Sequence, residues 1–326
     1  MERRRNDHSQ RIRLGVQVAF MALNVWIGLQ FFAWVRWIET GAGPAVTRPP
    51  GVEGWLPIAG LMNLKSWVST GVVPAIHPAA MVLLVAFLAM SVVLKKSFCG
   101  WLCPIGTISE LLWKLGRKIA RKNPALPRSA DLPLRGLKYL IFGFFAWAII
   151  RMPAEAIAEF MRAPYGVIAD VKMLNFFRFM STTALVVIAV LLALSVVVQN
   201  FWCRYLCPYG ALLGLAALVS PTRIRRDADA CIDCGKCTRA CPARLPVATL
   251  PQVRSVECSL CMSCVAVCPV KGALDAKVTR TRRLPAWAIA ATIGGIFAVP
   301  VLIAKMTGHW TTNIPDEMIR YFLGLM

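Results

Sequence analysis

The stretch CIDCGKCTRACP (residues 231–242) contains three cysteines two residues apart, a fourth cysteine after three more residues, and then a proline. The pattern recurs as CSLCMSCVAVCP (residues 258–269). This spacing is typical of the ligands of a [4Fe–4S] cube, and in two-cluster arrangements the fourth cysteine of each run binds the other cube. The sequence therefore predicts two cubes with interleaved ligands. The first set is Cys231, Cys234, Cys237 and Cys268, and the second is Cys258, Cys261, Cys264 and Cys241.

Structural zinc, disulfides and buried thiols are the alternatives for these eight cysteines. Zinc sites favour groups of four ligands with longer gaps between pairs, often including histidine, and residues 231–269 contain no histidine. Disulfides within such close spacing would be crowded, and nothing in the sequence indicates an oxidising compartment. The pattern therefore favours iron–sulfur clusters.

The composition indicates a membrane protein, because 57% of the 326 residues are hydrophobic and only 16% are charged. Four stretches that lack Lys, Arg, Asp and Glu are each long enough to cross a bilayer core of about 30 Å. They cover residues 14–35, 66–94, 179–203 and 284–304. A shorter candidate, 139–150, can be extended if Lys138 and Arg151 reach the two interfaces. We therefore expect about five transmembrane helices.

The basic residues support five spans. Three regions, 1–13, 95–138 and 202–283, hold 28 of the 37 Lys and Arg residues. The positive-inside rule places all three in the cytoplasm, which five helices satisfy, with the C-terminus outside. The net charge of +21 is then an orientation signal and a contact for lipid headgroups, and no nucleic-acid partner is expected.

The expected fold class is an all-α membrane protein with an inserted small α+β domain of the bacterial two-cluster ferredoxin type. Residues 1–220 should form a membrane domain with four helices. Residues 221–280 should form a cytoplasmic domain with two [4Fe–4S] clusters. Residues 281–326 should supply the fifth helix and a short outer tail.

A parallel repeat with an offset of 104 residues carries the other four cysteines. SVVLKKSFCGWLCPIG (91–106) aligns without gaps on SVVVQNFWCRYLCPYG (195–210), within copies at 75–113 and 179–217. Each copy is expected to be a membrane helix that ends in C-x-x-x-C-P, with its two cysteines on one helix face. Together the copies present Cys99, Cys103, Cys203 and Cys207. They could hold a further cluster or a soft metal such as copper; buried, inert thiols are the alternative.

Several functions lack their motifs. The only histidines are His8, His77 and His309, and no C-x-x-C-H haem motif occurs. We interpret His77 as a hydrogen-bonded interfacial residue rather than a haem ligand. The glycine-rich nucleotide-binding loops are missing as well. The segments 48–71 and 154–180 are amphipathic and predicted to lie at the membrane surface, where they pack or contact an outer partner or a quinone.

The two C-x-x-x-C-P copies, followed by two ferredoxin motifs and a last helix, resemble the NapH/MauN group of membrane ferredoxins over about residues 75–310. That group is related to the membrane parts of NosR and CcoG (RdxA/FixG). We therefore expect neither the outer flavin domain of the NosR type nor the C-terminal globular domain of the CcoG type. The resemblance implies membrane electron transfer that serves a respiratory reductase or the maturation of a metalloenzyme.

We therefore expect an inner-membrane relay between a quinol or cytoplasmic donor and such a partner, without independent catalytic activity. Its partners would be lipid, redox proteins and a quinone. The rival hypothesis is an assembly factor or a copper reductase that uses the four cysteines of the repeat.

Overall fold

The computed structural model describes residues 7–121, 124, 126–279 and 281–324. The chain forms two compact units. One comprises Met1–Met21, Phe87–Phe142 and Ile188–Ile296, and we call it the cysteine unit because it contains all twelve cysteines. The second unit comprises Ala22–Ala86, Gly143–Val187 and Phe297–Met326.

Helices dominate the chain. The longest are α1 (Ser9–Thr40), α6 (Arg128–Arg151) and α14 (Ala286–Met306). The other helices are α2 (Pro57–Thr70), α3 (Pro78–Leu94), α4 (Ser97–Trp101), α5 (Pro104–Ala120), α7 (Ala154–Arg162), α8 (Pro164–Val167), α9 (Ala169–Arg178), α10 (Thr182–Val197), α11 (Pro208–Ala216), α12 (Lys236–Arg239), α13 (Ser263–Ala266) and α15 (Asp316–Phe322).

Three of the described helices are long and apolar enough to cross a membrane: α1, α14 and Ser129–Arg151 within α6. The last includes the short candidate 139–150, so a long helix does form there. The sequence-based explanation placed Lys138 and Arg151 at the two membrane interfaces, and for Lys138 this was wrong. Lys138 does not reach an interface, because its side chain is fully buried and its Nζ lies 2.5 Å from Glu257 Oε1.

The predicted apolar stretch 66–94 is not one helix. Helix α2 ends at Thr70, and the next residue, Gly71, has a φ of +73° in the left-handed region and donates its N–H to the carbonyl of Trp67. Helix α3 then begins at Pro78 and has 17 residues, which corresponds to a length of about 26 Å. The proline and glycine residues of this stretch explain the interruption.

The stretch 179–203 contains the 16-residue helix α10, which meets α9 at an angle of 84°. If this bent pair counts as one, four helical segments among the described residues are long and apolar enough to cross a membrane. The five-span count remains a prediction. The two segments expected at the membrane surface are helical: 48–71 contains a 3-10 turn at Pro50–Trp55 and α2, and 154–180 contains α7, α8 and α9.

The ferredoxin motifs lie beside a two-stranded antiparallel sheet. Strand β1 (Arg223–Arg226) pairs with β2 (Leu274–Lys277), with Arg223 opposite Lys277 and Arg226 opposite Leu274. Ile224 and Leu274 are buried beneath the motifs. The two short helices α12 and α13 each begin inside one motif. The strands flank the motifs and bring the beginning and the end of the segment together, as the expected small α+β domain requires.

The second unit has a buried polar cluster. His77 is fully buried; its Nε2 lies 2.8 Å from Gly166 O and therefore donates to it, and its Nδ1 lies 3.2 Å from Glu53 Oε1. The Arg48 guanidinium contacts both Glu53, at 3.1 Å, and Asp170, at 2.7 Å. These contacts agree with the interpretation of His77 as a hydrogen-bonded residue.

Candidate iron–sulfur sites

The first cavity of the ferredoxin segment is lined by four cysteines from both motifs. They are Cys231, Cys234, Cys237 and Cys268, in a cavity of about 390 Å³. These are the residues of the first set inferred from spacing. All four are partly accessible to solvent, and the remaining lining combines apolar residues such as Ile232 and Val270 with the basic residues Arg226 and Lys236.

A second cavity, of about 350 Å³, is lined by Cys241, Cys258, Cys261 and Cys264. Cys241 comes from the first motif and the others from the second, so this cavity brings together one cysteine of the first motif and three of the second. All four are buried, in contrast to the first set. Burial raises the pKa of the Cys258 thiol to about 11, so the neutral thiol is favoured unless a positively charged group binds beside it.

The backbone has the same unusual conformation in both motifs. Asp233 and Leu260 precede the second cysteine of their motifs and have φ values of +50° and +49°. Gly235 and Met262 follow that cysteine, with φ values of +67° and +61°. Non-glycine residues in this region cost roughly 1–2 kcal/mol each, so the conformation requires a compensating interaction. This backbone conformation bends each motif around its cavity, so that its first three cysteines can face the same cofactor.

The cysteines of the repeat lie after the apolar helices rather than on one helix face. Helix α3 ends at Leu94, and Cys99 lies in the separate short helix α4. Cys103 is extended, with φ −56° and ψ 118°, and caps the N-terminus of α5. Placing both cysteines of a copy on one continuous helix was therefore wrong. The proline that follows Cys103 starts a new helix.

The second copy repeats this arrangement. Cys203 lies in a π-helical turn (Trp202–Leu206), and Cys207 caps α11. The N–H of Gly106 donates to Cys103 Sγ at 3.4 Å, and the N–H of Gly210 donates to Cys207 Sγ at 3.3 Å. Each copy thus presents one sulfur with a backbone hydrogen bond at a helix N-terminus, where a thiolate is favoured.

The thiols of the two copies are close enough to interact electrostatically. Burial raises the pKa of the Cys103 thiol well above its usual value, and the neighbouring thiols of Cys99, Cys203 and Cys207 raise it further. Cys99 and Cys203 line a polar cavity of about 590 Å³ between the copies. Its charged lining residues are Arg13, Lys96, Arg204, Glu110 and Glu257.

A single metal ion is not what these arrangements fit best. Among the described residues, no three or more His, Cys, Asp or Glu side chains surround one ion. This also holds for the two sets of cysteines in the ferredoxin motifs, whose side chains do not surround a single ion. In a [4Fe–4S] cube each thiolate binds a different iron, so the sulfurs need not converge on one point.

Both copies of the repeat contact the loops of the second cavity. Trp101 Nε1 donates to Leu260 O at 3.0 Å, and a Cβ at Gly100 would lie 2.9 Å from Ser259 O. From the second copy, Arg204 Nη1 donates to Ala243 O at 2.9 Å. Pro242, Ala243 and Ser259 line both this cavity and the polar cavity between the copies.

Sequence reasoning missed an ion cluster beside the cysteines of the repeat. Glu257 lies 3.1 Å from Lys96 Nζ and 2.5 Å from Lys138 Nζ, and the three side chains are less than 10% exposed. Burial opposes ionisation, but the two ammonium groups lower the pKa of Glu257 to about 2. The one feature of the sequence that could have indicated a role for Glu257 is its position immediately before Cys258.

Comparison with known proteins agrees with these sites. A model described as a 4Fe-4S binding domain matches residues 76–123 and 180–226, which correspond to the two copies of the repeat. A model described as a 4Fe-4S dicluster domain matches residues 223–269. No solved structure matches the chain.

Three curated relatives show the range of similarity. YccM of Escherichia coli K12, named as a candidate electron transport protein, is 48% identical over 94% of this chain and 88% of its own length. The ferredoxin-type protein NapH of the same organism is 28% identical over 64% of this chain and 70% of its own length. The regulatory protein NosR of Pseudomonas aeruginosa is 30% identical over 55% of this chain, but the match spans only 24% of NosR.

The apolar helices and the cysteine motifs define a membrane protein with [4Fe–4S] clusters that takes part in electron transfer. The chain belongs to the membrane-associated, ferredoxin-type 4Fe–4S family that includes NapH and NosR. The resemblance inferred from the motifs is thereby confirmed.

Proposed function

We propose that the chain is an inner-membrane electron relay with two cubes bound by the interleaved cysteine sets. It would connect a quinol or a cytoplasmic donor with a respiratory reductase or a partner in metalloenzyme maturation. The observation that carries this proposal is the lining of the two cavities, each of which contains one complete set of four cysteines. When bound there, the clusters supply one-electron chemistry.

The protein would hold the two cubes in different environments. The first set is partly accessible and lies beside exposed basic residues, among them Lys236 and Arg239. The second set is buried beneath the loops that contact the repeat. Solvent exposure is one of the factors that set a cluster's potential. The exposed side favours exchange with a soluble, acidic redox partner, which the basic side chains would attract.

The proposed orientation places the cysteine unit in contact with the cytoplasm. The three basic regions used to predict this, 1–13, 95–138 and 202–283, all belong to that unit. Residues 1–6, 122, 123, 125, 280, 325 and 326 lie outside the described residues. Reporter fusions at positions 125 and 275 should read cytoplasmic, and a fusion after Met326 should read external. A cytoplasmic signal after Met326 would contradict the five-span topology.

The relay itself is tested with anaerobically purified protein. We expect iron and acid-labile sulfide in equal amounts, visible absorbance that bleaches with dithionite, and paramagnetic signals from the reduced clusters. The reduced protein should be reoxidised by a soluble quinone analogue or by an oxidised soluble ferredoxin. If neither oxidises it, the proposal fails. If the protein instead reduces bound copper and passes no electrons to these acceptors, the metal-handling hypothesis is favoured.

A further inference from the structure

Lys95 is a fully buried residue that directly follows α3. Its φ of +58° lies in the left-handed region, which disfavours residues that have a Cβ. The main chain is fixed in this conformation, because the N–H of Lys95 donates to Ser220 Oγ at 3.0 Å and that hydroxyl donates to Val93 O at 3.0 Å. Glycine would adopt this backbone with less strain, so the presence of a lysine needs an explanation of its own.

The Lys95 ammonium group forms no ion pair with a carboxylate in the part of the chain that the structure describes. Its Nζ donates to Ala217 O at 3.2 Å and to Arg254 O at 3.4 Å. Both acceptors are neutral carbonyl groups, which hydrogen-bond the ammonium without balancing its charge. A buried and uncompensated charge is costly, so the position of Lys95 suits an anionic group nearby.

The segment that leads into the second ferredoxin motif lies against this lysine. The N–H of Lys96 donates to Cys258 O at 3.4 Å, and Lys96 Nζ lies 3.1 Å from Glu257 Oε2. Together with the bond from Lys95 to Arg254, these contacts place the two lysines along residues 254–258. Burial lowers the pKa of Lys95, whereas a negative charge at Cys258 raises it. The nearby anionic group is therefore expected at the second cavity, which Cys258 lines.

The buried charges beside this cavity are unequal. Lys96 and Lys138 both pair with the single carboxylate of Glu257, and Lys95 adds a third positive charge against that one negative charge. A cube with four thiolate ligands is anionic, and one-electron reduction adds a further negative charge to it. Burial alone disfavours that added charge, because the interior has a low dielectric constant, and a buried cation favours it.

We propose that the buried ammonium group of Lys95 stabilises the reduced form of the second cube and thereby raises its reduction potential. One electron from the first cube or from the donor enters the oxidised second cube, and no bond or proton moves. The charge of Lys95 then keeps a cube that is shielded from water reducible within the relay. The inference rests on the proposed function, since it requires a cube held by Cys258.

Lys95→Gln tests this role, because glutamine can still donate hydrogen bonds but carries no charge. In a redox titration followed by the paramagnetic signals, the ratio of reduced to oxidised second cube at a fixed potential should fall about tenfold. This corresponds to a decrease of about 59 mV for a one-electron couple. The second cube is identified as the signal that Cys264→Ala lacks, because Cys264 lines that cavity. The first cube should titrate as before.

Two control variants accompany this measurement. Lys95→Arg retains the charge and should keep the potential of the second cube close to that of the unaltered protein. Lys114→Gln removes a half-exposed lysine of the same unit and should change neither potential. An unshifted second cube in Lys95→Gln, or an equal shift of both cubes, would overturn the proposal.

The sign of the shift separates an effect of charge from a disturbed structure. Glu257→Gln removes the negative charge beside Cys258, so it should raise the potential of the second cube. The double variant Lys95→Gln/Glu257→Gln should titrate between the two single variants. Shifts of Lys95→Gln and Glu257→Gln in the same direction would mean that both changes merely disturb the site, and the proposal would be wrong.

Failure to assemble the cube is distinguished from failure of the inference. If Lys95→Gln lacks the second signal, Lys95→Met supplies an uncharged side chain of similar length, and its second cube should show the same decrease in potential. Loss of that signal from both variants would mean that Lys95 supports assembly of the site, and the proposal would be overturned. Absence of both signals from the unaltered protein would overturn the proposed function and this inference with it. Two cubes with unshifted potentials would contradict the inference alone.

Discussion

Cys241→Ala is expected to abolish the second cube, although Cys241 belongs to the first motif. Its side chain lines the buried cavity together with Cys258, Cys261 and Cys264. Conversely, Cys268→Ala should abolish the first cube, because Cys268 lines the other cavity. Each variant should lose about four iron atoms. The remaining signals then identify which cube was lost.

Solvent access distinguishes the two cubes in this experiment. The first set is partly accessible, so its cube should be oxidised faster by a charged, water-soluble oxidant than the cube held by the buried set. Cys241→Ala should retain the fast phase, and Cys268→Ala should retain the slow one. The matched control is Cys237→Ala, which should behave like Cys268→Ala. If Cys237→Ala and Cys241→Ala lost the same phase, each motif would bind its own cube, and the interleaved assignment would be wrong.

The sequence was informative where chemistry is encoded by local spacing. The groups of cysteines that line the two cavities could be predicted because every cysteine stands in a short motif whose geometry the following residues impose, as Gly235 and Pro242 do in the first. The repeat was recognisable for the same reason. The break between α2 and α3 was also encoded, by Gly71, Pro74 and Pro78, but the uninterrupted apolar character of 66–94 concealed it.

Long-range pairing was not predictable in this way. Glu257 is 161 positions from Lys96 and 119 from Lys138, and no local pattern links a carboxylate to a lysine at such distances. Lys138 was therefore interpreted as a residue at the membrane interface, although it is fully buried and ion-paired. The interruption between Cys99 and Cys103 was missed because i and i+4 spacing resembles a helix face, while Pro104 in fact starts a new helix.

Glu257→Gln is the second substitution with a large expected effect. Glutamine has nearly the same shape but no charge, so Lys96 and Lys138 would share a buried site without a counter-charge. Removing one partner of a buried ion pair typically costs about 3–5 kcal/mol, because the remaining charge is left uncompensated. We expect a loss of this size in the free energy of unfolding, measured by denaturation in detergent. Lys114→Gln should cost less than about 1 kcal/mol, since Lys114 is half-exposed where it pairs with Glu110.

A second substitution shows whether the loss of stability in Glu257→Gln comes from uncompensated charge or from lost hydrogen bonds. Lys138→Met in the Glu257→Gln background removes one of the two orphaned cations, and it should recover part of the lost stability. Lys138→Met alone should destabilise, because Glu257 then keeps only Lys96 at 3.1 Å. The two changes should therefore be less harmful together than the sum of their separate effects. Additive losses would mean that the triad does not act as one electrostatic unit.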